Sequence, residues 1–408
     1  MDDFERKVEF VSELTRRLHE AGTTAPRLEA AINRASRKLG LDAQLWSNPT
    51  GAILSFRDPR EVERHAEVTR VMRLEPGSAH LRHLAQVDDI AERVIRGQLD
   101  LDSGRLALEA AGKPDPLRRQ WVETLLGFTL ASGGVAGLLK GSITEICCAA
   151  ALGLLIGTLA QLSAGRPRLA ASFDALAAFV VALGTAWIAA EVAPISSRLV
   201  LTSGLIVLLP GLMLTTAAVE LASDHWVSGA ARFAGAMAVL LKLAFGALVG
   251  SKLASELGWT GVDQPISSAA PALEWIALAV SALAFALLFK ARLRDYPVVI
   301  AAACTSYLAT RYTGPVFGAE LSVFFSCLLI SAVSNLYSRI ANRPGATFRL
   351  PGLILLVPGS VGFKSLFFVF EKDVFLGVDT AFSLISLLAA LVAGLLLGSS
   401  LVPPRRAL

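Results

Sequence analysis

The chain has 408 residues, of which 54% are hydrophobic and 18% charged, and its mean hydropathy is +0.57. This composition excludes an ordinary soluble domain and a disordered chain. Residues 1–120 carry 20 Lys+Arg and 20 Asp+Glu, whereas residues 121–408 carry 18 and 14. We therefore expect a water-soluble domain followed by a membrane domain. The pI near 9.0 then comes from cations that flank the membrane, not from a surface for nucleic acid.

Residues 1–120 have the patterns of a small α+β domain. The predicted elements are helices at 4–21 and 24–39, a hairpin of strands at 43–46 and 52–56, and helices at 81–99 and 103–111. The N-terminus lacks a cationic stretch followed by an apolar core, so we expect no cleavable signal peptide. This domain is accordingly expected in the cytoplasm.

Ten apolar stretches follow, each near the length of about 20 residues that a helix needs to cross a bilayer. They are 121–139, 142–162, 171–191, 198–221, 229–251, 271–290, 296–312, 316–338, 349–370 and 379–402. The loops on the N-terminal side of the membrane hold eleven Lys+Arg and those on the opposite side hold five. The positive-inside rule then predicts a multi-pass protein of the cytoplasmic (inner) membrane with both termini in the cytoplasm.

The membrane domain contains an internal repeat. Gly204-Leu-Ile-Val-Leu-Leu-Pro-Gly211 is nearly repeated as Gly352-Leu-Ile-Leu-Leu-Val-Pro-Gly359, at an offset of 148 residues. The same offset carries spans 1, 3 and 5 close to spans 6, 8 and 10. We interpret 121–260 and 261–408 as two repeats of five spans each. An odd number of spans inverts the second repeat relative to the first, an arrangement common among secondary transporters.

The repeated octamers each end in a Pro-Gly pair within an apolar span. Proline removes a helical hydrogen bond and glycine loosens the backbone, so both spans are expected to break there. Such breaks at membrane depth are tolerated when they are buried in protein or line a cavity. A pair of packing kinks is the alternative. We predict a substrate site formed by Ser203, Pro210, Gly211, Thr215, Pro358, Gly359 and Ser360.

Acidic residues inside spans are candidates for coupling transport to an ion. Asp174 and Glu320 lie early in spans 3 and 8, at nearly equivalent positions of the two repeats. The alternative is that both lie near an interface and contact headgroups or a cation. Glu220, near the end of span 4, is a third candidate and alternatively shapes an entrance.

The soluble domain lacks the usual motifs of an enzyme. The sequence contains no Walker P-loop, no HExxH and no GxSxG, which disfavours an ATP-driven pump and a hydrolase. His80-x-x-His83 together with His65 suggests a metal site, but a structural role for these histidines is the stronger interpretation. We expect no catalytic residue, no metal and no cofactor.

Several motifs resemble the threonine/serine exporter family. In the soluble part they are Glu13-Leu-Thr-Arg-x-Leu-x-x-Ala-Gly22, Arg27-Leu-Glu, Leu39-Gly40 and Pro49-Thr-Gly51. In the membrane part they are Leu209-Pro-Gly-Leu-x-Leu-Thr215, Ser228-Gly-Ala-Ala-Arg232, Arg343-Pro344 and Leu356-Val-Pro-Gly-Ser360. The resemblance covers nearly the whole chain and is to the fused form, with both membrane halves in one protein.

This resemblance implies a ten-span exporter of small amino acids, driven by a proton or sodium gradient. Its partners would be a small polar metabolite, the coupling ion, the lipid bilayer and, in a homo-oligomer, further copies of the chain. Two alternatives stay open at this point. One is export of a dicarboxylate such as succinate. The other is a membrane-tethered enzyme or sensor that acts through residues 1–120.

Overall fold

The computed structural model describes residues 2–57, 67–261 and 271–403. The first part of the chain folds as an α+β unit. Its elements are α1 (Asp3–Glu20), α2 (Ala25–Lys38), β1 (Asp42–Asn48), β2 (Gly51–Arg57), β3 (Glu67–Arg73), α3 (Leu81–Ile95) and α4 (Leu101–Ala111). The strands form an antiparallel sheet in the order β1-β2-β3.

The predicted helices and the hairpin are confirmed, because their apolar periodicity matches the faces that they bury. In α1, for example, Val8, Val11, Leu14 and Leu18 all lie in the core. Strand β3 was not predicted. Its sequence, Glu67-Val-Thr-Arg-Val-Met-Arg73, has no buried face, and its residues are exposed or half-buried at the edge of the sheet. The alternating pattern that identifies a strand was therefore missing. His65 lies outside the described residues.

The rest of the chain is helical. Its first half contains α5 (Leu117–Leu138), α6 (Ile143–Ser163), α7 (Pro167–Trp187), α8 (Ser197–Gly204), α9 (Gly211–Ala222) and α10 (Trp226–Glu256). Its second half contains α11 (Pro271–Leu288), α12 (Tyr296–Ala341), α13 (Ala346–Ile354), α14 (Gly359–Phe370) and α15 (Val374–Leu401). Seven helical stretches of the described residues are long and apolar enough to cross a membrane. The protein is thus mainly helical and polytopic.

Predicted spans 7 and 8 are two helices that follow each other directly across a kink. Helix α12 covers both, and the chain bends inside it at Gly318, whose φ of 81° lies outside the helical region. Pro315, three residues earlier, lies within the same helix. Predicted spans 4 and 9 are each divided in two, span 4 into α8 and α9 and span 9 into α13 and α14. The break in each falls at the predicted Pro-Gly pair.

The helix boundaries of the two halves follow the offset found in the sequence. Helices α9 and α14 start at 211 and 359, and α10 and α15 start at 226 and 374, so both pairs are separated by 148 residues. The turns between these helices match as well, since Asp224 and Lys372 both adopt a left-handed backbone conformation, with φ of 62° and 69°. The two halves therefore share local backbone features in addition to apolar composition.

Packing between the two halves is reciprocal. Helix α5 packs on its counterpart α11, α10 packs on α14, and α15 packs on α9. The broken segment of each half thus lies against the last helix of the other half. This arrangement places the two breaks in the interior of the helical bundle, where Pro210 and Pro358 are both buried.

Candidate functional site

The two Pro-Gly pairs have almost the same backbone geometry. Pro210 has φ −78° and ψ 41° and precedes α9, while Pro358 has φ −83° and ψ 38° and precedes α14. Each proline therefore stands at the N-terminus of a half-helix, where its missing N–H removes no helical hydrogen bond. The glycine that follows becomes the first residue of the half-helix.

These two N-termini touch each other. A Cβ atom built on Gly359 would lie 3.0 Å from both Cα and N of Gly211. A Cβ on Gly211 would lie 3.2 Å from N of Gly359 and 2.1 Å from Cγ1 of Val357. Neither glycine has a positive φ, so the requirement at both positions is space and not backbone conformation. Four of the predicted site residues, the two Pro-Gly pairs, therefore meet at one place.

The junction has a positive electrostatic character that does not depend on charged side chains. The N-terminus of a helix carries roughly half a positive charge, with backbone N–H groups that lack helical acceptors. Helices α9 and α14 bring two such ends together at Gly211 and Gly359. The N–H of Gly211 already donates to the carbonyl of Leu209 at 2.8 Å, and a bound carboxylate would offset the facing dipoles.

Three predicted hydroxyls belong to the helices around this junction. Ser203 lies in α8 before the first break, Thr215 lies one turn into α9, and half-buried Ser360 follows Gly359. The hydroxyl oxygens of Ser203 and Thr215 are buried and lack a hydrogen-bond partner among the described residues. A buried hydroxyl without a partner costs about 1–3 kcal/mol, which a polar ligand would offset.

The three predicted ion-coupling carboxylates lie in different environments. Asp174 on α7 forms an ion pair with Lys242 on α10, with Oδ2 and Nζ 2.5 Å apart. Glu320 is exposed, two residues beyond the bend at Gly318, and has no ion-pair partner within the described ranges. Glu220 near the end of α9 is fully buried and forms an ion pair with Arg232. Their coupling roles stay predictions.

Two buried carboxylates that were not predicted as site residues connect each half to its own broken segment. Glu145 at the start of α6 accepts a hydrogen bond from the backbone N–H of Ser196, just before α8, with a distance of 2.7 Å. Asp295 before α12 pairs with Arg343 before α13, at 2.8 Å. The Ser142-x-x-Glu145 capping box was a sequence signal for the first of these, because that pattern marks a helix N-terminus.

His80, His83 and Asp115 form a cluster whose potential metal-ligating atoms all lie within 4.8 Å of one another. The imidazole rings are stacked, with centroids 3.6 Å apart. However, Nδ1 of His80 accepts the backbone N–H of His83, and Oδ2 of Asp115 accepts a hydrogen bond of 2.7 Å from Arg82. These two atoms therefore already have partners, and the structural role of the cluster stays a prediction.

Acidification is expected to destabilise this cluster. Burial and the neighbouring His83 lower the pKa of His80 to about 3, and burial also lowers the pKa of His83. Between pH ~3 and ~6.5 the unfolded chain binds more protons than the folded one, so the free energy of unfolding falls as the pH decreases through this window. At about pH 5 the titration of His80 alone lowers the free energy of unfolding by about 2 kcal/mol.

Thermal unfolding of the detergent-solubilised chain at about pH 7.5 and about pH 5 measures this effect. His80→Asn keeps an acceptor for the N–H of His83 and cannot take up a proton, so its unfolding temperature is expected to depend less on pH. An identical pH dependence in this variant and the original chain would show that the histidine cluster is not responsible.

Comparison with known families gives two adjoining matches. Residues 9–254 match the profile of the threonine/serine exporter family ThrE, and residues 274–401 match a second profile, "Threonine/Serine exporter, ThrE". The chain belongs to the threonine/serine exporter family. The first match includes the α+β unit and the first break, and the second includes the second break. The resemblance seen in the sequence is thereby confirmed, including the presence of both membrane halves in one chain.

Individual relatives of this exporter-family chain are more distant. It is 26% identical over 372 residues to the pheromone-regulated membrane protein 10 of Eremothecium gossypii, covering 89% of this chain and 49% of that protein. The Saccharomyces cerevisiae protein of the same name is 26% identical over 368 residues, with 88% and 47% covered. An uncharacterised Schizosaccharomyces pombe protein is 25% identical over 394 residues, with 93% and 46% covered.

The chain thus spans about half the length of the curated relatives that it matches. No solved structure matches it.

Proposed function

We propose that this member of the exporter family is an ion-coupled secondary transporter that exports small amino acids, threonine and serine, by alternating access. The observation that carries the proposal is the contact between Gly211 and Gly359, where two half-helix N-termini meet. The α-carboxylate of the substrate would lie at these N-termini. Its ammonium and side-chain hydroxyl would then bind backbone carbonyls and the hydroxyls of Ser203, Thr215 and Ser360.

Alternating access would use two repeats of five spans each, the second inverted relative to the first. The ten spans would leave both termini in the cytoplasm. Support for this comes from the common offset of the helix boundaries and from the reciprocal packing of the broken segments. The excess of Lys+Arg on the N-terminal side supports the orientation in the inner membrane. A proton or a sodium ion at Asp174, Glu320 or Glu220 would drive export.

Export of a dicarboxylate such as succinate is the second candidate, and the facing positive helix ends favour it. A dicarboxylate has no ammonium group, so it would leave the freed backbone carbonyls of the breaks without a donor. We therefore place it second. A tethered enzyme or sensor in residues 1–120 would not require the close approach of the two breaks.

Counterflow in proteoliposomes loaded with threonine tests the proposal. External labelled threonine is expected to accumulate transiently, and unlabelled serine is expected to compete with it. Competition by succinate but not by serine would favour the second candidate. Absence of counterflow with every one of these compounds would contradict the transport function.

Removing the hydroxyls of Ser203 and Thr215 is expected to weaken substrate binding without lowering the stability of the protein. Ser203→Ala and Thr215→Val each delete a buried hydroxyl that has no hydrogen-bond partner among the described residues, so the unfolding temperature is expected to stay the same or rise. If the hydroxyls bind substrate, the KM for threonine is expected to rise about tenfold, equivalent to about 1.4 kcal/mol.

Counterflow kinetics and thermal unfolding measured on the same preparations check both results. Lower unfolding temperatures with an unchanged KM would mean that these hydroxyls are structural and would remove them from the site.

A further inference from the structure

Among the described residues, two groups of hydrogen bonds attach the α+β unit to the membrane helices, and Ala346 and Leu350 of α13 also pack with its apolar core. The first, which we call the anchor, joins the start of α3 to the segment after α11. The backbone N–H of Leu81 donates to the carbonyl of Phe289 at 2.9 Å, and that of Arg82 donates to Lys290 at 3.2 Å. The anchor is fixed by main-chain hydrogen bonds, and Leu81 belongs to an apolar cluster against which Leu212 of α9 and Leu350 of α13 pack.

The side chain of Arg82 strengthens the anchor. Its guanidinium group donates to Asp115 at 2.7 Å and to Glu123 of α5 at 2.6 Å, and all three side chains are largely buried. Bonds between ionised groups in such surroundings are stronger than neutral ones. The α+β unit is therefore held firmly to α5 and α11.

The second attachment, which we call the latch, is centred on Glu220 of the broken helix α9. Its carboxylate is completely buried and accepts hydrogen bonds from the side chains of Ser228 at 2.8 Å and Arg232 at 3.0 Å. It also accepts the backbone N–H of Ala25 at 3.0 Å, the first residue of α2. A carboxylate at this position caps α2 and interacts favourably with its dipole.

A second polar contact lies beside the first. His225, between α9 and α10, is 3.0 Å from Oε2 of Glu29 on α2, measured from its Nε2. The other carboxylate oxygen of Glu29 accepts hydrogen bonds from the backbone N–H and the hydroxyl of Ser47 on β1. The latch therefore connects α2 and β1 of the α+β unit with both ends of the α9–α10 turn.

The opposite half of the bundle has no equivalent latch. At the offset of 148, the positions of Glu220, Ser228 and Arg232 are occupied by Phe368, Leu376 and Thr380. Phe368 instead lies beneath the guanidinium group of Arg198, 5.9 Å from the ring centroid. Among the described residues, this latch therefore belongs to the α9 side of the duplicated bundle alone.

We propose that the α+β unit is the inner gate of the transport pathway and that the Glu220 latch holds this gate closed. The inference rests on the proposed function, because it takes the breaks as the substrate site. Helix α9 begins at Gly211 and reaches Glu220 after nine residues, a distance of about 14 Å. A tilt of α9 at the break therefore displaces Glu220 from Ala25, whereas the anchor stays in place.

A gate controls access to the transport pathway, whereas simple domain packing contributes only to stability. In the closed arrangement the N-terminus of α2 meets the C-terminal end of α9, the helix that carries Thr215. Opening the latch would expose this part of α9 to the cytoplasm, whereas loss of a purely structural contact would lower stability without changing access. Accessibility of position 215 therefore reports on the gate directly and does not require that the substrate be known.

The test is the alkylation rate of Thr215→Cys by N-ethylmaleimide in inside-out vesicles. The full chain is used, with Cys147, Cys148, Cys304 and Cys327 replaced by alanine. Adding Glu220→Gln is expected to raise the rate about tenfold, because it removes the charge from the central acceptor of the latch. Glu109→Gln, which removes an ion-paired carboxylate on α4 away from the latch, is the matched control and is expected to leave the rate unchanged.

An unchanged rate in a folded Glu220→Gln variant would overturn the gate. His225→Gln, which removes the second contact from a half-buried position, gives the same test if Glu220→Gln does not fold. These outcomes are separate from the proposed function. Counterflow is measured in the chain that keeps Thr215. An increased labelling rate together with no threonine counterflow would support the gate and contradict the substrate, whereas counterflow with unchanged labelling would do the reverse.

Discussion

Replacing Gly211 by alanine is expected to reduce threonine counterflow at least about tenfold while the protein still folds in the membrane. The new Cβ would lie 2.1 Å from Cγ1 of Val357 and 3.2 Å from the backbone of Gly359, so the two breaks would have to separate. Overpacking of this kind costs about 1–3 kcal/mol, which a bundle of this size tolerates. Counterflow per quantity of inserted protein measures the effect.

Gly235→Ala in α10 is the matched control. Its new Cβ would meet only Sδ of Met213 at 3.5 Å, an ordinary contact, and alanine is the better helix former. Counterflow in this variant is expected to equal that of the original chain. If Gly211→Ala also transports at the original rate, the close approach of the breaks is not part of the mechanism.

Replacing Asp174 by asparagine is expected to abolish gradient-driven export and to preserve counterflow. Counterflow exchanges substrate without net ion movement, so it does not need the coupling carboxylate, whereas net export does. The neutral amide could not hold a coupling ion as the carboxylate does, and Lys242 would lose its 2.5 Å partner. The measurement compares two rates in the same vesicles: export of labelled threonine under an imposed proton or sodium gradient, and counterflow. Export is expected to be lost while counterflow is kept.

Lys242→Met combined with Asp174→Asn distinguishes coupling from a structural ion pair. Removing both charges avoids an unpaired charge within the bundle, so the double variant is expected to be more stable than Asp174→Asn alone. It is still expected to lack gradient-driven export. Restored export in the double variant would mean that Asp174 only neutralises Lys242.

The breaks were predictable because their signal is local. Proline and glycine act on their own backbone, and the repeated octamer alone places both pairs at equivalent positions of the two halves. The structure starts α9 and α14 at those glycines. The kink in α12 has a local signal of the same kind, because Gly314, Pro315 and Gly318 lie together at the place where the backbone leaves the helical conformation.

The partners of the charged residues were not predictable because they depend on contacts that are distant in the chain. Lys242 had no evident partner in the sequence, and Asp174 lies 68 residues earlier. Glu220 was predicted to couple ions, and the sequence offered no indication that Ala25, 195 residues away, donates to it. Such contacts are set by how helices pack, and composition and periodicity determine only which face of a helix is buried.

The central claim is that substrate binds where Gly211 meets Gly359, and protection of a cysteine at Ser360 tests it most directly. Ser360 is half-buried next to this contact, so a maleimide is expected to reach Ser360→Cys in the empty transporter. Threonine is expected to slow the reaction in proportion to site occupancy, at the same concentrations that saturate counterflow. A labelling rate that threonine does not change, in a variant with intact counterflow, would contradict the claim.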